Sequence, residues 1–199
     1  MIKVVDVCFE IGGRKILRNV NLEVERGETV AVMGMSGVGK SSLLKCVAGL
    51  SRPTSGEIYI DGVEITKMNE SKLNTIRRNV GMVFQYAALF DSMSVYENVT
   101  FGLRRHMRKS ETDMMEIVKD TLSMVGLSKI EEMMPSELSG GMQKRVGLAR
   151  SLAMQPSVLL YDEPTAGLDP IMANAIAELI SKVRDELGVA SFLVSHDLP

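Results

Sequence analysis

The apolar positions in the first third of the chain form short runs that glycine-containing turns separate. The runs most typical of strands cover residues 2–9, 29–33 and 57–60. They are bounded by the turn segments GG, RGE, SGE and DG. Short β-rich runs between such turns predict strands with tight connections.

The apolar positions follow a helical period from about residue 91 to residue 154, where turn signals are few. This period is interrupted near Met134, Pro135 and Ser136. Proline ends or kinks a helix, so we predict a helical insert with a break at this point.

The remainder of the chain returns to strands. The segment SVLLY is followed by an amphipathic stretch from about residue 171 to residue 187 and then by VASFLV. Both strand segments are continuous apolar runs, as strands covered on both faces of a parallel sheet require. The order strand, helix, strand therefore predicts an α/β fold with a mostly parallel sheet.

The composition is that of a globular protein. The chain has 199 residues, of which 45% are hydrophobic, enough for one domain or for a core domain with an insert. A formal net charge of −2 gives no electrostatic reason to expect a nucleic-acid partner. Cys8 and Cys46 lie in apolar stretches and form neither a disulfide framework nor a metal-spaced pair. These features fit a reducing cytoplasm.

The N-terminal segment MIKVVDVCFE alternates and carries charges, unlike a signal peptide. The chain also has no stretch of about 18 apolar residues that could cross a bilayer. We therefore expect any association with a membrane to be peripheral.

The segment AVMGMSGVGKSSL contains a phosphate-binding pattern, with Gly34, Gly39, Lys40 and Ser41 in the spacing G-x-x-x-x-G-K-S. It follows a predicted strand and precedes a predicted helix over residues 42–50. Glycines allow backbone N–H groups to surround a polyphosphate, and the helix N-terminus adds positive potential. We call residues 34–42 the phosphate cradle. The predicted nucleotide-binding residues are Gly34, Met35, Ser36, Gly37, Val38, Gly39, Lys40, Ser41 and Ser42.

Such a cradle has characteristic charged partners. Lys40 is expected to neutralise the β- and γ-phosphates of ATP or GTP, and the Ser41 hydroxyl to ligate Mg²⁺. Asp162 ends the apolar run in VLLYDEP, where a sheet strand reaches the ligand edge. We predict that Asp162 serves the metal and that the next residue, Glu163, orients or deprotonates the attacking water.

The segment LSGGMQKR, residues 138–145, resembles the signature of the ABC (ATP-binding cassette) ATPases. The order of cradle, glutamine, signature, acidic strand, GLDP and histidine matches that family along almost the whole chain. The resemblance implies ATP and Mg²⁺ as cofactors. It implies that Gln85 contacts Mg²⁺ and relays the nucleotide state to the helical insert. It also implies that Asp169 lies at a dimer seam and that His196 contacts the γ-phosphate as a catalytic residue.

The signature segment, residues 138–145, also has the local chemistry of an anion site, independently of the family resemblance. Ser139, Gly140 and Gly141 precede a predicted helix over residues 142–154, so they form a possible second anion site. In the family these residues, with Met142, close over the ATP held by a second ATPase subunit. The resemblance therefore implies a head-to-tail homodimer with two ATP molecules at the seam.

The resemblance also implies the division of the fold. Residues 1–86 and 155–199 are expected to form the nucleotide-binding core of a single P-loop NTPase domain with an N-terminal antiparallel β part. Residues 87–154 are expected to form the helical subdomain. The chain ends at Pro199, closer to His196 than is usual for family members, so we expect either a truncated chain or an unusual ending.

The segments FQYAALFDSMSVYENV and MPSELSGGMQKRVGLAR resemble the ATPase subunits of bacterial phospholipid or lipid transporters that work with MCE-domain proteins. This implies an ATPase at the cytoplasmic face of the inner membrane, with permease subunits and an MCE-domain substrate-binding protein as partners. An ABC importer or exporter for another substrate stays open, as does a soluble ABC ATPase that acts on ribosomes or DNA. The signature argues against a P-loop kinase or a small GTPase.

Two positions depart from the family pattern. Ile11 occupies the position at which most members place an aromatic residue that stacks on adenine. We therefore expect weak selectivity between ATP and GTP. Met35 stands where the family often has proline, and we expect this change to be silent.

Overall fold

The computed structural model describes residues 1–196, so the chain end at Pro199 lies outside the described residues. The strands are β1 (Ile2–Ile11), β2 (Arg14–Val24), β3 (Thr29–Met33), β4 (Ser55–Ile60), β5 (Val63–Glu64), β6 (Val80–Val83), β7 (Val158–Asp162) and β8 (Ala190–Ser195). The helices are α1 (Lys40–Val47), α2 (Glu70–Arg77), α3 (Val95–His106), α4 (Glu111–Met124), α5 (Gly140–Leu152) and α6 (Pro170–Leu187). Among these residues, no helix combines the length and the apolar character needed to cross a membrane.

An antiparallel sheet forms the N-terminal part, with the strand order β2-β1-β4-β5. Its central strand β1 pairs with both β2 and β4, and the register shifts at points between Val4 and Glu10. The run over residues 2–9 did predict β1, but β2 was not predicted. Arginine and asparagine interrupt the apolar positions of β2, so its pairing with β1, rather than its own pattern, defines it as a strand.

A parallel sheet forms the centre of the fold, with the strand order β3-β8-β7-β6. In β7, Leu159 and Tyr161 pack into the core that the sheet shares with the helices α3, α4, α5 and α6. Val158 and Leu160 pack into the core on the other face, with α1 and the antiparallel sheet. Because both faces are covered, the strand reads as one apolar run. The predicted α/β class and parallel sheet are confirmed.

The helical part contains α3, α4 and α5, and its boundaries follow local capping. Ser94 and Ser110 each cap a helix, in capping boxes completed by Glu97 and Asp113. The predicted break appears as a short 3₁₀ helix at Pro135–Glu137. Helix α5 begins two residues before its predicted start because the Ser139 hydroxyl accepts a hydrogen bond from the Met142 N–H, 3.3 Å away.

Candidate active site

The phosphate cradle connects the end of β3 to the first turn of α1. Gly37 and Gly39 have φ angles of 80° and 107°, which favour glycine. A Cβ at Gly39 would also meet the side chains of Ile16 and Leu17. Gly39 caps α1 without a side-chain hydrogen bond, so the N–H groups of the first turn are available to an anion.

Lys40 is buried at the centre of the cradle, with 7% of its surface exposed. Its Nζ atom donates to the carbonyl oxygen of Gly34 at 2.7 Å and to that of Met35 at 3.1 Å. It also lies 3.6 Å from Glu163 Oε1. A buried ammonium that is held by the loop it serves is positioned for a polyphosphate without a large rearrangement.

Ser41 and Asp162 are 121 positions apart in the chain, and the Ser41 hydroxyl donates to Asp162 Oδ1 at 2.9 Å. The contact forms because α1 begins beside the carboxyl end of β7, at the edge where parallel strands present their ligand-binding loops. A hydroxyl and a carboxylate are hard oxygen ligands of the kind that Mg²⁺ prefers. The side chains therefore fit a magnesium ion that is shared with a nucleotide.

Glu163 follows Asp162 and is buried, with 8% of its surface exposed. Its backbone lies in the left-handed region at φ 51°, and its N–H donates to the Val194 carbonyl at 2.9 Å. Its Oε2 atom accepts from the backbone N–H of His196 at 2.9 Å and lies 2.7 Å from His196 Nδ1. Strand β8 thus places His196 directly against the carboxylate that β7 presents.

A cavity of about 320 Å³ joins these groups. Its lining residues are Ile16, Ser36, Gly37, Gly39, Lys40, Ser41, Ser42, Gln85, Glu163 and His196. Gln85 thus reaches this cavity, from the segment after β6. Gly34 and Met35 each contribute a carbonyl oxygen that accepts from Lys40, although Met35 is otherwise 80% exposed. Val38 lines a neighbouring groove.

Ile16 is a lining residue that the sequence analysis missed. It lies on β2, the strand that was not predicted, so no pattern placed it beside the cradle. Ile11, at the family's aromatic position, is 58% exposed and does not line this cavity. The apolar wall of the cavity therefore comes from the start of β2 rather than from the end of β1.

The signature segment is not part of this cavity. Ser139 and Gly140 are exposed at the N-terminus of α5, whereas Gly141 is buried against Met172 of α6. Met142 is half-buried. The structure thus leaves a helix N-terminus open to solvent at the predicted second anion site.

Asp169 caps α6 and accepts hydrogen bonds from the N–H groups of Ile171 and Met172, both at 3.0 Å. Its side chain is exposed, and Ile171 beside it is 82% exposed. The N-termini of α5 and α6 lie next to each other, since Gly141 packs on Met172.

Comparisons with known proteins agree with this geometry. Residues 17–166 match the sequence profile of the ABC transporter family. The chain is 43% identical over 194 residues to the intermembrane phospholipid transport system ATP-binding protein MlaF of Escherichia coli K12, covering 98% of this chain and 72% of MlaF. MlaF of Haemophilus influenzae is 41% identical over 198 residues, covering 100% of this chain and 75% of that protein.

A solved structure with a similar fold is the dimeric, post-hydrolysis state of the ATP-binding cassette MJ0796 with ADP and Pi. It superimposes with a TM-score of 0.88 at 35% sequence identity, covering 99% of this chain and 88% of that one. The cassette was thus captured as a dimer with the products of ATP hydrolysis.

Proposed function

This chain belongs to the ABC transporter family and is an ABC ATPase, and we propose that it drives a bacterial transporter of phospholipid or another lipid. One observation carries this proposal, namely the 43% identity to MlaF over 98% of the chain. The proposed location is the cytoplasmic face of the inner membrane, where separate membrane subunits supply the path for the lipid.

The residues around the cavity have distinct proposed roles. The N–H groups of the cradle and the Lys40 ammonium bind the phosphates of ATP, while Ser41, Asp162 and Gln85 hold Mg²⁺. When bound, Mg²⁺ supplies charge neutralisation at the β- and γ-phosphate oxygens. Most of the catalysis then consists of positioning and electrostatic stabilisation.

Glu163 is the proposed group that orients or deprotonates the attacking water. Its carboxylate lies between Lys40 and His196, 3.6 Å and 2.7 Å away respectively, so its direction is already set. We propose that His196 keeps this orientation and also approaches the γ-phosphate.

The signature segment is proposed to bind the ATP of a second copy of the chain. Support comes from the exposed N-terminus of α5, where Ser139 and Gly140 lie outside the chain's own cavity. A helix N-terminus favours an anion, and the dimer places that anion between two chains. Asp169 then lies at the seam between the subunits, and closure of the dimer around ATP moves the membrane subunits.

A groove of about 650 Å³ on the helical side is the proposed docking site for the permease. Its aromatic residues are Phe84, Phe90 and Phe101, and its cationic residues include Arg77, Arg78, Arg105 and Arg150. A groove with apolar and cationic walls suits a short amphipathic helix that carries acidic residues.

We propose that residues 87–154 act as the helical subdomain, which passes the closure of the dimer to the membrane subunits. Residues 1–86 and 155–199 then form the nucleotide-binding core.

The test of the proposed function is purification of the tagged chain from its native membranes in mild detergent. We expect a multi-spanning membrane protein and an MCE-domain protein to co-purify, and the complex in vesicles to move a fluorescent phospholipid when ATP is added. The same complex with Glu163→Gln is the matched control. Co-purification with ribosomal RNA or DNA would favour the soluble alternative, and transport of a non-lipid substrate would favour another importer or exporter.

The docking groove has a separate test. Arg105→Glu reverses a charge in the groove, so it should release the permease while the isolated chain keeps its ATPase activity. Lys119→Glu on α4 makes the same charge change at an exposed position outside the groove. Equal retention of the permease by both variants would show that it docks elsewhere.

A further inference from the structure

The turn that follows β7, residues 163–166, holds Glu163 in a conformation that non-glycine residues seldom adopt. Glu163 has a φ angle of 51°, and its carbonyl accepts a hydrogen bond from the Ala166 N–H at 3.2 Å. Such a conformation costs free energy and persists only when the surrounding contacts over-determine it. We call residues 163–166 the catalytic turn.

Lys144 supplies one of these contacts from another part of the chain. Its Nζ atom donates to the Pro164 carbonyl at 2.8 Å and to the Ala166 carbonyl at 2.6 Å. One ammonium therefore ties together two carbonyl groups of the catalytic turn. Burial lowers the pKa of Lys144, because the surroundings disfavour the charged form.

Lys144 also belongs to the helix that begins at the signature segment. Ser139 caps α5, and Lys144 lies little more than one turn further along that helix. Gly141 of the same helix packs against Met172 at the start of α6. Helix α5 thus contacts both ends of the segment that runs from Glu163 through Asp169 into α6.

We propose that Lys144 is a positioning residue for ATP hydrolysis, which aims the Glu163 carboxylate by holding the catalytic turn against α5. This inference rests on the proposed role of Glu163. Without the ammonium, the carbonyls of Pro164 and Ala166 turn towards water and the turn relaxes. A displacement of about 1 Å at a catalytic group can cost about a hundredfold in rate.

The contact between Lys144 and the catalytic turn has a second consequence. Any movement of the signature segment towards a partner's nucleotide carries α5 with it, and Lys144 passes that movement to the chain's own Glu163. Lys144 then links the signature segment to the catalytic turn of the same chain.

The test compares Lys144→Met, which removes the ammonium and keeps the apolar stem, with Lys144→Arg, which keeps a cationic donor. Lys119→Met, at an exposed position on α4, is the matched control. In the full chain we expect Lys144→Met to lower kcat by about tenfold to a hundredfold. The affinity for ATP by calorimetry and the KM should stay within about twofold, and Lys144→Arg should recover most of the loss.

A double-mutant cycle with Glu163→Gln shows whether Lys144 acts through Glu163. If it does, Lys144→Met should lower turnover no further in a chain that already carries Glu163→Gln. Additive losses would overturn the proposal. A kcat for Lys144→Met within twofold of the unmodified chain would overturn it as well.

A purely structural role predicts a different pattern. In that case Lys144→Met and Lys144→Arg would both lower the thermal midpoint, and ATP affinity would fall together with kcat; this result would overturn the proposal. If Lys144→Met does not fold, Lys144→Gln, which is shorter and uncharged, is judged by the same criteria.

The failure of this inference is distinguishable from the failure of the proposed function. If Glu163→Gln keeps full turnover, the role of Glu163 and the action of Lys144 through it are both overturned. If Glu163→Gln loses turnover while Lys144→Met keeps it, only the inference about Lys144 is overturned.

Discussion

Two glycine-bearing helix N-termini in this chain have the same local chemistry and different surroundings. At α1 the cap is Gly39, and the first turn opens into a cavity that also contains Lys40 and Glu163. At α5 the cap is Ser139, whose hydroxyl accepts a hydrogen bond from the helix itself, and the N-terminus faces solvent. Both ends attract anions, but the α1 end opens into a cavity lined by the buried Lys40 and Glu163, whereas Ser139 and Gly140 at the α5 end are exposed.

This difference indicates what each end can do alone. In the proposed function, the α1 end has the groups that ATP binding and hydrolysis need, whereas the α5 end stabilises a phosphate that another molecule brings. We therefore treat the cradle as the chain's own nucleotide site and the signature segment as half of a site in a dimer. Substitutions at each end test this division.

The largest expected effect is at Glu163. Glu163→Gln removes the base but keeps the size of the side chain, so hydrolysis should fall by about 10²- to 10⁴-fold while ATP binding persists. Steady-state turnover and calorimetry measure the two effects separately. Near-normal turnover would remove Glu163 from this role.

Loss of the Lys40 ammonium should weaken the binding of ATP itself, and not only slow the chemical step. Lys40→Ala removes a buried cation from the phosphate site, and we expect ATP affinity to fall by about tenfold to a hundredfold, since hydrogen bonds to charged groups are worth about 1.5–3 kcal/mol. Isothermal calorimetry on the full chain measures this loss. Lys45→Ala, also on α1 but exposed, is the matched control and should bind ATP normally.

Ser139 should leave the chain's own site intact. Ser139→Arg places a bulky cation at the α5 end, so ATP affinity of the monomer should change by less than about twofold while ATP-dependent dimerisation weakens by about tenfold or more, or at least about 1.4 kcal/mol. The measurement is size-exclusion chromatography with ATP in the Glu163→Gln background.

Ser110→Arg is the matched control for this experiment because Ser110 also caps an exposed helix N-terminus, that of α4. It should dimerise as the parent does. If Ser139→Arg still dimerises, or if it abolishes ATP binding by the monomer, the signature segment acts within its own chain and the division fails.

The smallest expected effect concerns the base of the nucleotide. Ile11→Tyr adds an aromatic ring at the family's stacking position, so affinity should rise by roughly 1 kcal/mol, about fivefold. Ile11→Leu is the control without a ring. The unmodified chain should bind GTP within about tenfold of ATP, and a hundredfold preference for ATP would show that another group reads adenine.

Sequence patterns predicted the central strands because each is a continuous apolar run, which in β7 and β8 reflects a core on both faces. The run at residues 29–33 coincides with β3, and SVLLY and VASFLV each lie within one residue of β7 and β8. Helix α2 was missed because Leu73 is its one buried residue, which leaves little periodicity to detect. The start of α5 was misplaced because the cap at Ser139 sets it, not the apolar pattern.

The sequence alone determined the chemistry of the cradle, because its glycines, Lys40 and Ser41 are contiguous and act through local backbone geometry. Asp162 and Glu163 were also predicted to join them, but only the tertiary structure decided the contacts that these distant groups make. The contacts of Ser41 with Asp162, of Glu163 with His196 and of Lys144 with Pro164 span 121, 33 and 20 positions. Such pairs depend on strand order and helix packing, which no local spacing encodes. The cradle was therefore readable from its motif, whereas the orientation of Glu163 and the role of Lys144 were not.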